Sequence, residues 1–214
     1  MAIVAENDNI RIERLRLGAF GTNAYILICQ RTGDSVVIDA PGEAERILER
    51  LEGTNPKYIL ITHNHSDHIG ALDALKAALK IPVGVHVSDA NNLNLSPEWL
   101  LQNNDVIEFG NVRLTVLHTP GHTEGSVCFH TDAFLLAGDT LFPNGPGKTW
   151  SADAFQQIIQ SLTDTLFALP DDTLVFPGHG DSTDIGREKR ASEVFLAKPI
   201  DPNMYGDVLW SSAE

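Results

Sequence analysis

The feature that most restricts how this chain can fold is a dense group of metal-ligand side chains directly after an apolar run. His63, His65, Asp67 and His68 lie within six residues, and residues 58–61 before them are apolar. Imidazoles and carboxylates lose hydration beside a core, which is costly unless they gain a partner. A bound divalent cation is such a partner. A helix-capping role explains one of these residues but not three histidines, so we interpret the segment as a metal site.

Three further ligand-type residues come later in the chain, each in a glycine-containing turn after a strand-like apolar run. They are His122 in Thr-Pro-Gly-His, Asp139 in Ala-Gly-Asp-Thr and His179 in Pro-Gly-His-Gly. Taken alone, each is equally well explained as an ordinary turn residue. Together with the first group they supply enough ligands for two divalent cations. Nitrogen and carboxylate ligands favour zinc, with iron or manganese as alternatives, over calcium or magnesium.

The hydrophobic pattern predicts strands that alternate with helices. Apolar residues three and four apart predict helices, and short apolar or alternating runs predict strands. The predicted strands cover residues 10–17, 24–29, 35–39, 58–61, 83–87, 106–109, 112–117, 126–130, 134–137 and 173–176. The predicted helices cover residues 44–51, 69–79, 155–166 and 185–196, and Ser151 is the expected N-cap of the third. This pattern predicts an α/β protein with helices on the outer faces of its sheets.

The chain shows no internal repeat and no low-complexity linker. Its 214 residues are enough for one large domain with a substantial core. We therefore expect a single domain over residues 1–214, with residues 198–214 as an irregular tail docked on the body or on a neighbouring subunit. The oligomeric state stays open.

Charge and cysteine content narrow the expected partners and location. The 29 acidic and 15 basic residues give a formal charge of −14, which disfavours nucleic acid and anionic membranes and favours a small-molecule substrate. Residues 1–9 do not resemble a secretory signal, and no apolar run has membrane-spanning length. The two cysteines lie in strand-like runs and are expected to be buried free thiols. These features predict a cytoplasmic protein.

The motifs resemble the metallo-β-lactamase superfamily, and most closely the short, single-domain bacterial type of its glyoxalase II (hydroxyacylglutathione hydrolase) branch. The resemblance extends from about residue 20 to about residue 196, in the family's order. It implies a four-layer αβ/βα sandwich with the metals at one edge between the sheets. The ligand sets that the resemblance implies are His63, His65 and His122 for one cation, Asp67, His68 and His179 for the other, and Asp139 as the bridge. Asp39 matches a family position that supports a ligand histidine.

The implied activity is metal-dependent hydrolysis of a thioester or ester carbonyl. Two cations that share a water molecule lower its pKa from ~15.7 towards ~7, so hydroxide is present at neutral pH. This hydroxide would attack the carbonyl carbon while a metal stabilises the developing oxyanion. Asp67 is expected to orient the nucleophile, and Asp139 to hold both metals. A thiolate leaving group needs no dedicated general acid.

The loop over residues 141–150 differs from the Gly-Arg-containing loop that is usual in the glyoxalase II branch. Lys148 is therefore a candidate contact for an anionic substrate group, and Trp150 a candidate wall of the cleft. The alternatives are a solvated lysine and a core tryptophan. Of the remaining histidines, His118 and His130 are expected to be structural, and His86 is a weak candidate for the cleft.

Two other activities remain open on the same fold. Persulfide dioxygenases use one iron held at positions that match His63, His122 and Asp139, a ligand set suited to oxygen chemistry. A lactonase would use the same pair of metals as a thioesterase. Metal analysis with an oxygen-uptake assay distinguishes the first of these from a hydrolase.

Overall fold

The first half of the chain folds into one mixed β-sheet with helices in its connections. The computed structural model describes residues 2–212. In chain order, the elements up to residue 101 are β1 (Ala2–Glu6), β2 (Ile10–Leu17), β3 (Thr22–Cys29), β4 (Asp34–Ile38), α1 (Ala44–Leu51), β5 (Asn55–Leu60), α2 (Ser66–Ile69), α3 (Leu72–Leu79), β6 (Val83–His86), a 3-10 helix (Ala90–Asn92) and β7 (Trp99–Leu101). Strands β1 to β4 pair antiparallel in sequence order, and β4 to β7 pair in parallel.

The second half forms another mixed sheet. Its elements are β8 (Val106–Phe109), β9 (Val112–His118), β10 (Val127–Thr131), β11 (Phe134–Gly138), β12 (Leu141–Phe142), β13 (Gly145–Pro146), α4 (Ala152–Asp164), a 3-10 helix (Leu166–Ala168), β14 (Leu174–Pro177), β15 (Thr183–Asp184), α5 (Ile185–Leu196) and a 3-10 helix (Trp210–Ser212). The strand order is β15-β14-β11-β10-β9-β8, in which only the β11–β14 pair is parallel among the described residues. Strands β12 and β13 form a separate small hairpin.

The side chains of each strand point alternately to the two faces of its sheet, and this alternation produces the layers. On β3, Tyr25 and Leu27 belong to the apolar core that both sheets share, whereas Ile26 and Ile28 face the cluster that contains α1 and α3. Successive side chains of a strand point to opposite faces, so one fully buried strand serves two cores. Helices α4 and α5 cover the outer face of the second sheet in the same way. The predicted four-layer αβ/βα arrangement is confirmed.

The third predicted helix begins where its sequence indicates. The Ser151 hydroxyl accepts a hydrogen bond from the Ala154 backbone N–H at 3.1 Å, which makes Ser151 the N-cap of α4. Phe155, Ile158 and Leu162 then lie on one buried face of this helix. All ten predicted strands are also present, with ends within three residues of the expected positions.

The helix that was predicted over residues 69–79 is interrupted in the structure. His68 does not begin that helix but lies in the separate short helix α2, and α3 starts at Leu72. The break occurs because the Ala40 N–H donates to the His68 carbonyl and the Ala71 N–H donates to the Ala40 carbonyl, both at 2.8 Å. Gly70 sits at this junction, where a β-carbon would lie 2.5 Å from the Pro41 carbonyl oxygen.

Several elements were not predicted. Strand β1 is largely exposed at the edge of its sheet, so it lacks the apolar pattern that identifies a strand. The three-residue strand β7 and the short strands β12, β13 and β15 are too brief to carry such a pattern. Cys29 and Cys128 are buried and free, as predicted. Within residues 2–212, no helix has both the length and the apolar character to cross a bilayer.

Candidate metal centre

The seven candidate ligands converge at one rim of the sandwich. They share a position in a loop or short helix that directly follows the carboxyl end of a strand. His63 and His65 follow β5, Asp67 and His68 lie on α2, and His122, Asp139 and His179 follow β9, β11 and β14. We call these seven side chains the cleft floor. The structure brings together every residue that the sequence suggested as a ligand.

His63, His65 and His122 form the first ligand group. Their nearest ring nitrogens lie within 4.8 Å of one another. His65 Nδ1 is 2.9 Å from His122 Nε2. His63 Nε2 is buried and has no hydrogen-bond partner. A buried imidazole nitrogen without a partner is unfavourable, and a cation among these three rings would satisfy it.

Asp67, His68 and His179 form the second group. His179 Nε2 lies 3.2 Å from Asp67 Oδ2 and 3.4 Å from His68 Nε2, and His68 Nε2 lies 3.7 Å from Asp67 Oδ2. All three donor atoms therefore point at one small volume. Asp67 is further fixed by the Thr22 hydroxyl, which donates to its Oδ2 at 3.1 Å.

Asp139 lies between the two groups. Its Oδ2 is 3.7 Å from His122 Nε2 and 3.5 Å from His179 Nε2, and its Oδ1 is 3.4 Å from His68 Nε2. It thus approaches a histidine of each set. Asp139 Oδ1 is buried without a hydrogen-bond partner, which is a second unsatisfied atom of the cleft floor. This placement suits a carboxylate that is shared by two cations.

The pKa values of His63 and His68, two buried histidines of the cleft floor, shift in opposite directions. Burial lowers the pKa of His63 well below its ordinary value, and the neighbouring imidazoles lower it further. Burial also lowers the pKa of His68, but Asp39 and Asp139 outweigh it and raise that pKa to about 10. A cation can bind His68 Nε2 only when this nitrogen carries no proton, so we expect metal binding to release protons.

Asp39 and Thr62 orient the rings of His63 and His68. Asp39 accepts hydrogen bonds from His68 Nδ1 at 2.7 Å and from the Thr62 backbone N–H and hydroxyl at 2.8 Å each. Because its proton is donated to Asp39, the Thr62 oxygen is free to accept from His63 Nδ1 at 3.0 Å. Both rings then direct Nε2 to the cleft floor. Asp39 itself has a left-handed φ of 61°.

His122 is oriented by backbone. Its Nδ1–H donates to the Lys148 carbonyl at 2.8 Å, which leaves Nε2 free to bind a cation.

The absence of a side chain at Gly178 leaves room where the donor atoms of the cleft floor meet. A β-carbon at that position would lie 2.2 Å from Asp139 Oδ1 and 2.6 Å from His68 Cε1, so any larger residue would fill the space where these atoms meet.

Asp89, which was not identified from the sequence, connects the loop of His63 and His65 to the loop of His122. This buried carboxylate accepts hydrogen bonds from the Asn64 N–H at 3.0 Å, the Thr123 hydroxyl at 2.9 Å and the Gly125 N–H at 2.9 Å. It therefore ties the loop of His63 and His65 to that of His122. An aspartate three residues after a strand is common in turns, so no local pattern distinguishes it.

Strand β3 fixes the His179 loop through two residues that were also missed. The side chains of Asn23 and Tyr25 donate to the Pro177 carbonyl at 2.9 and 2.7 Å, and the Asn23 N–H donates to the Gly178 carbonyl at 2.7 Å. Burial raises the pKa of Tyr25 well above its ordinary value, so its hydroxyl keeps its proton and donates. In the sequence, the feature that could have indicated this contact is Asn23, an amide in an otherwise apolar strand.

The two weaker substrate candidates lie at the cleft above the floor. Trp150 is exposed and is not a core residue, and its ring centroid is 6.2 Å from that of His65. Lys148 is half-exposed, with Nζ 3.3 Å from Asp207 Oδ2. His86 does not line the cleft. It stacks on His118 with a centroid distance of 4.0 Å, and this pair lies apart from the cleft floor.

The chain belongs to the Metallo-beta-lactamase superfamily, whose sequence pattern matches residues 17–179. It is 31% identical to "Hydroxyacylglutathione hydrolase GloC" of Haemophilus influenzae over 212 residues, covering 88% of this chain and 100% of that protein. It is 34% identical to "Probable metallo-hydrolase YqgX" of Bacillus subtilis over 198 residues, covering 82% and 93%. The crystal structure of TTHA1623 in a di-iron-bound form matches with a TM-score of 0.70 and 32% identity, covering 83% of this chain and 97% of that chain.

These similarities and the geometry define the class of the protein. It is a metallo-hydrolase of the superfamily with a histidine-rich site, and its histidine and aspartate clusters are consistent with a dinuclear metal centre. The mixed nitrogen and oxygen donors, together with the two unsatisfied buried atoms, fit borderline transition metals.

Proposed function

We propose that this protein hydrolyses the carbonyl of a thioester or ester, using two divalent cations, with zinc as the favoured metal. The observation that supports this most strongly is the meeting of seven ligand-type side chains at the floor of an open cleft. The similarity to a hydroxyacylglutathione hydrolase supports a thioester as the substrate class. His63, His65 and His122 would hold one cation, Asp67, His68 and His179 the other, and Asp139 both.

The residues of this chain would contribute orientation and proton transfer. Bound cations would supply a water molecule that ionises near pH ~7 and a Lewis acid for the carbonyl oxygen. Asp67 borders the cleft and is held by the Thr22 hydroxyl, so it is placed to orient the attacking water and accept its proton. Asp39 and the Lys148 carbonyl hold the imidazoles of His68 and His122 with Nε2 directed inward. Expulsion of a thiolate requires no proton donor.

The single-iron dioxygenase alternative uses fewer of these groups. Its ligand positions correspond to His63, His122 and Asp139. The remaining candidates are also directed at the site, with His65 Nδ1 2.9 Å from His122 Nε2 and Asp67 Oδ2 3.2 Å from His179 Nε2. Two cations would engage all seven candidates, whereas one iron would leave four of them without a ligand role, so we favour hydrolysis.

The test uses protein stripped with a chelator and reconstituted separately with zinc, iron and manganese. Hydrolysis is measured on thioesters, an aryl ester and a lactone, and oxygen uptake is measured with glutathione persulfide. We expect thioester hydrolysis without oxygen uptake. Oxygen uptake by the iron form, with no hydrolysis by any form, would overturn the proposal in favour of the dioxygenase.

A pair of variants connects the activity to the cleft floor. His65→Ala should lower both metal content and kcat/KM, the latter by more than the ~100-fold typical of losing an outer-sphere partner. His130→Gln is the matched control, because His130 is a half-buried histidine of β10 outside the cleft. It should retain the metal content and activity of the unaltered protein. Unchanged hydrolysis in His65→Ala would contradict the mechanism.

A further inference from the structure

A cleft of about 570 Å³ opens above the cleft floor. His65, Asp67, His122, Asp139 and His179 form its base, so whatever occupies it lies against the candidate metal centre. This volume is in the range that small-molecule sites usually have. The walls of the cleft therefore select the part of the substrate next to the reacting carbonyl.

The walls are largely apolar. Phe20, Trp150 and Leu209 line the cleft and are 75%, 59% and 47% exposed. Phe142 adds an aromatic ring whose centroid is 6.4 Å from that of His179. Single exposed apolar side chains are normal on a protein surface, but several grouped around one cleft indicate a binding surface.

The wall carries no unpaired positive charge among the described residues that line it. Apart from the candidate metal ligands, the charged lining side chains are Lys148 and Asp207, and their Nζ and Oδ2 atoms are 3.3 Å apart. Lys148 also lies over the Trp150 ring, with Nζ 5.0 Å from the centroid. Because Asp207 compensates Lys148, the wall offers a carboxylate on the substrate no free partner.

One side of this wall is a C-terminal segment, residues 205–210, which we call the strap. Gly206 pairs with Thr149 through two backbone hydrogen bonds of 3.0 and 3.2 Å, and the Trp210 N–H donates to the Asn144 carbonyl at 2.9 Å. Gly145 permits close approach, since a β-carbon there would lie 2.5 Å from the Val208 carbonyl oxygen. The strap is therefore bonded to the loop that carries Lys148 and Trp150.

Buried Glu188 anchors the end of the strap. Its carboxylate accepts hydrogen bonds from the Asn144 N–H at 2.8 Å, the Trp210 indole N–H at 3.2 Å and the Thr183 hydroxyl at 2.6 Å. A buried carboxylate that accepts three hydrogen bonds is compensated for the loss of water. This anchor fixes Val208 and Leu209 beside the cleft.

We propose that the strap and the aromatic residues around it form a subsite for an uncharged, apolar group next to the scissile carbonyl of the substrate. The inference rests on the proposed hydrolase function and deepens it. The shape and chemistry of the wall favour apolar acyl or thiol groups over anionic ones. Leu209 is the aliphatic residue that the strap adds to this wall, and the ion pair with Asp207 leaves Lys148 less available to an anionic group.

The first experiment compares two series of thioesters. One series keeps a small neutral thiol and varies the acyl group from acetyl to hexanoyl to succinyl, and the other keeps the acetyl group and lengthens the thiol. We expect kcat/KM to rise about tenfold or more with the apolar chain in one of the two series, which also shows on which side of the carbonyl the subsite lies. The thioester of the anionic succinyl group should have the lowest kcat/KM.

Leu209→Asp should remove most of the preference for the longer chain. Leu100→Asp is the matched control, because Leu100 is 48% exposed on β7 and does not line the cleft. Its ratio of kcat/KM values for long and short chains should equal that of the unaltered protein. Asp207→Asn should raise kcat/KM for the succinyl ester about threefold to tenfold, and a further Lys148→Gln substitution should reverse the gain.

A binding measurement separates failure of the subsite from failure of the proposed reaction. Thioethers in which CH2 replaces the carbonyl are titrated calorimetrically, so affinity is obtained without turnover. Tighter binding of the hexyl than the ethyl compound, lost in Leu209→Asp, supports the subsite even if no thioester is hydrolysed. Hydrolysis with equal rates and affinities across both series overturns the subsite and leaves the reaction standing. Absence of both hydrolysis and chain-length dependence overturns both.

Discussion

The cleft floor holds its side chains by hydrogen bonds, whereas the opposite wall presents exposed apolar groups. His63, His68 and His122 are buried, and each ring donates a hydrogen bond from Nδ1 to a protein oxygen that holds it in place. On the wall, Trp150 and Leu209 project into the cleft, and their positions depend on backbone pairing of the strap. Polar contacts therefore fix the candidate ligands of the floor, and backbone pairing and packing position the apolar side chains of the wall.

The largest expected effect comes from Asp139, which approaches both ligand sets. Asp139→Asn removes the negative charge that faces His68, His122 and His179. We expect kcat/KM to fall on the order of 10³-fold and bound metal to fall below two per chain. Metal analysis and thioester kinetics are the measurements. Asp153→Asn, an exposed aspartate in the first turn of α4, is the control and should change neither.

Asp39→Asn tests how far the floor depends on groups that do not reach the metals themselves. Asparagine tolerates the positive φ of 61° at this position, so the backbone should be retained. The amide is a weaker acceptor for His68 Nδ1–H, and we expect metal affinity to fall roughly 10- to 100-fold. A competition titration with a chromophoric chelator measures this. An unchanged affinity would remove Asp39 from the network.

Glu188→Gln disturbs the wall without touching the floor. The amide replaces an acceptor oxygen with a donor at a site where three donors converge. Leaving one buried donor unpaired should lower the free energy of unfolding by about 1–3 kcal/mol. Two metals should still bind, and the preference for longer apolar chains should weaken. Loss of bound metal together with the chain preference would mean that floor and wall are not separable.

The smallest effect concerns the stacked pair His86 and His118, away from the cleft. Burial lowers the pKa of His86, and His118 lowers it further. The unfolded chain therefore binds a proton more readily, so stability is present above pH ~6.5 and is lost as the pH falls below it. His86→Phe keeps an aromatic ring in the stack, and its free energy of unfolding should fall less between pH 7.5 and 5.5 than that of the unaltered protein, measured by urea unfolding with chelator present. Equal losses in both proteins would contradict this pKa shift.

The ligands of the floor could be predicted from the sequence, whereas the residues that hold their loops and most of the wall could not, for a physical reason. A ligand such as His122 or His179 follows an apolar run and precedes or follows a glycine, so its place at a strand end is encoded locally. Asp89 and Asn23 act on loops 34 and 155 residues away, at Thr123 and Gly178, and no local pattern carries that information. The strap likewise depends on Glu188, an ordinary helical glutamate in the sequence. Interactions of this kind are set by tertiary packing.

The proposed reaction requires that one chain bind two cations at the cleft floor. Equilibrium dialysis of chelator-stripped protein against zinc or iron, followed by elemental analysis, measures this stoichiometry directly. We expect two tightly bound metals per chain, with His179→Ala retaining one of them. One metal or none in the unaltered protein, for every metal offered, would contradict the two-cation site.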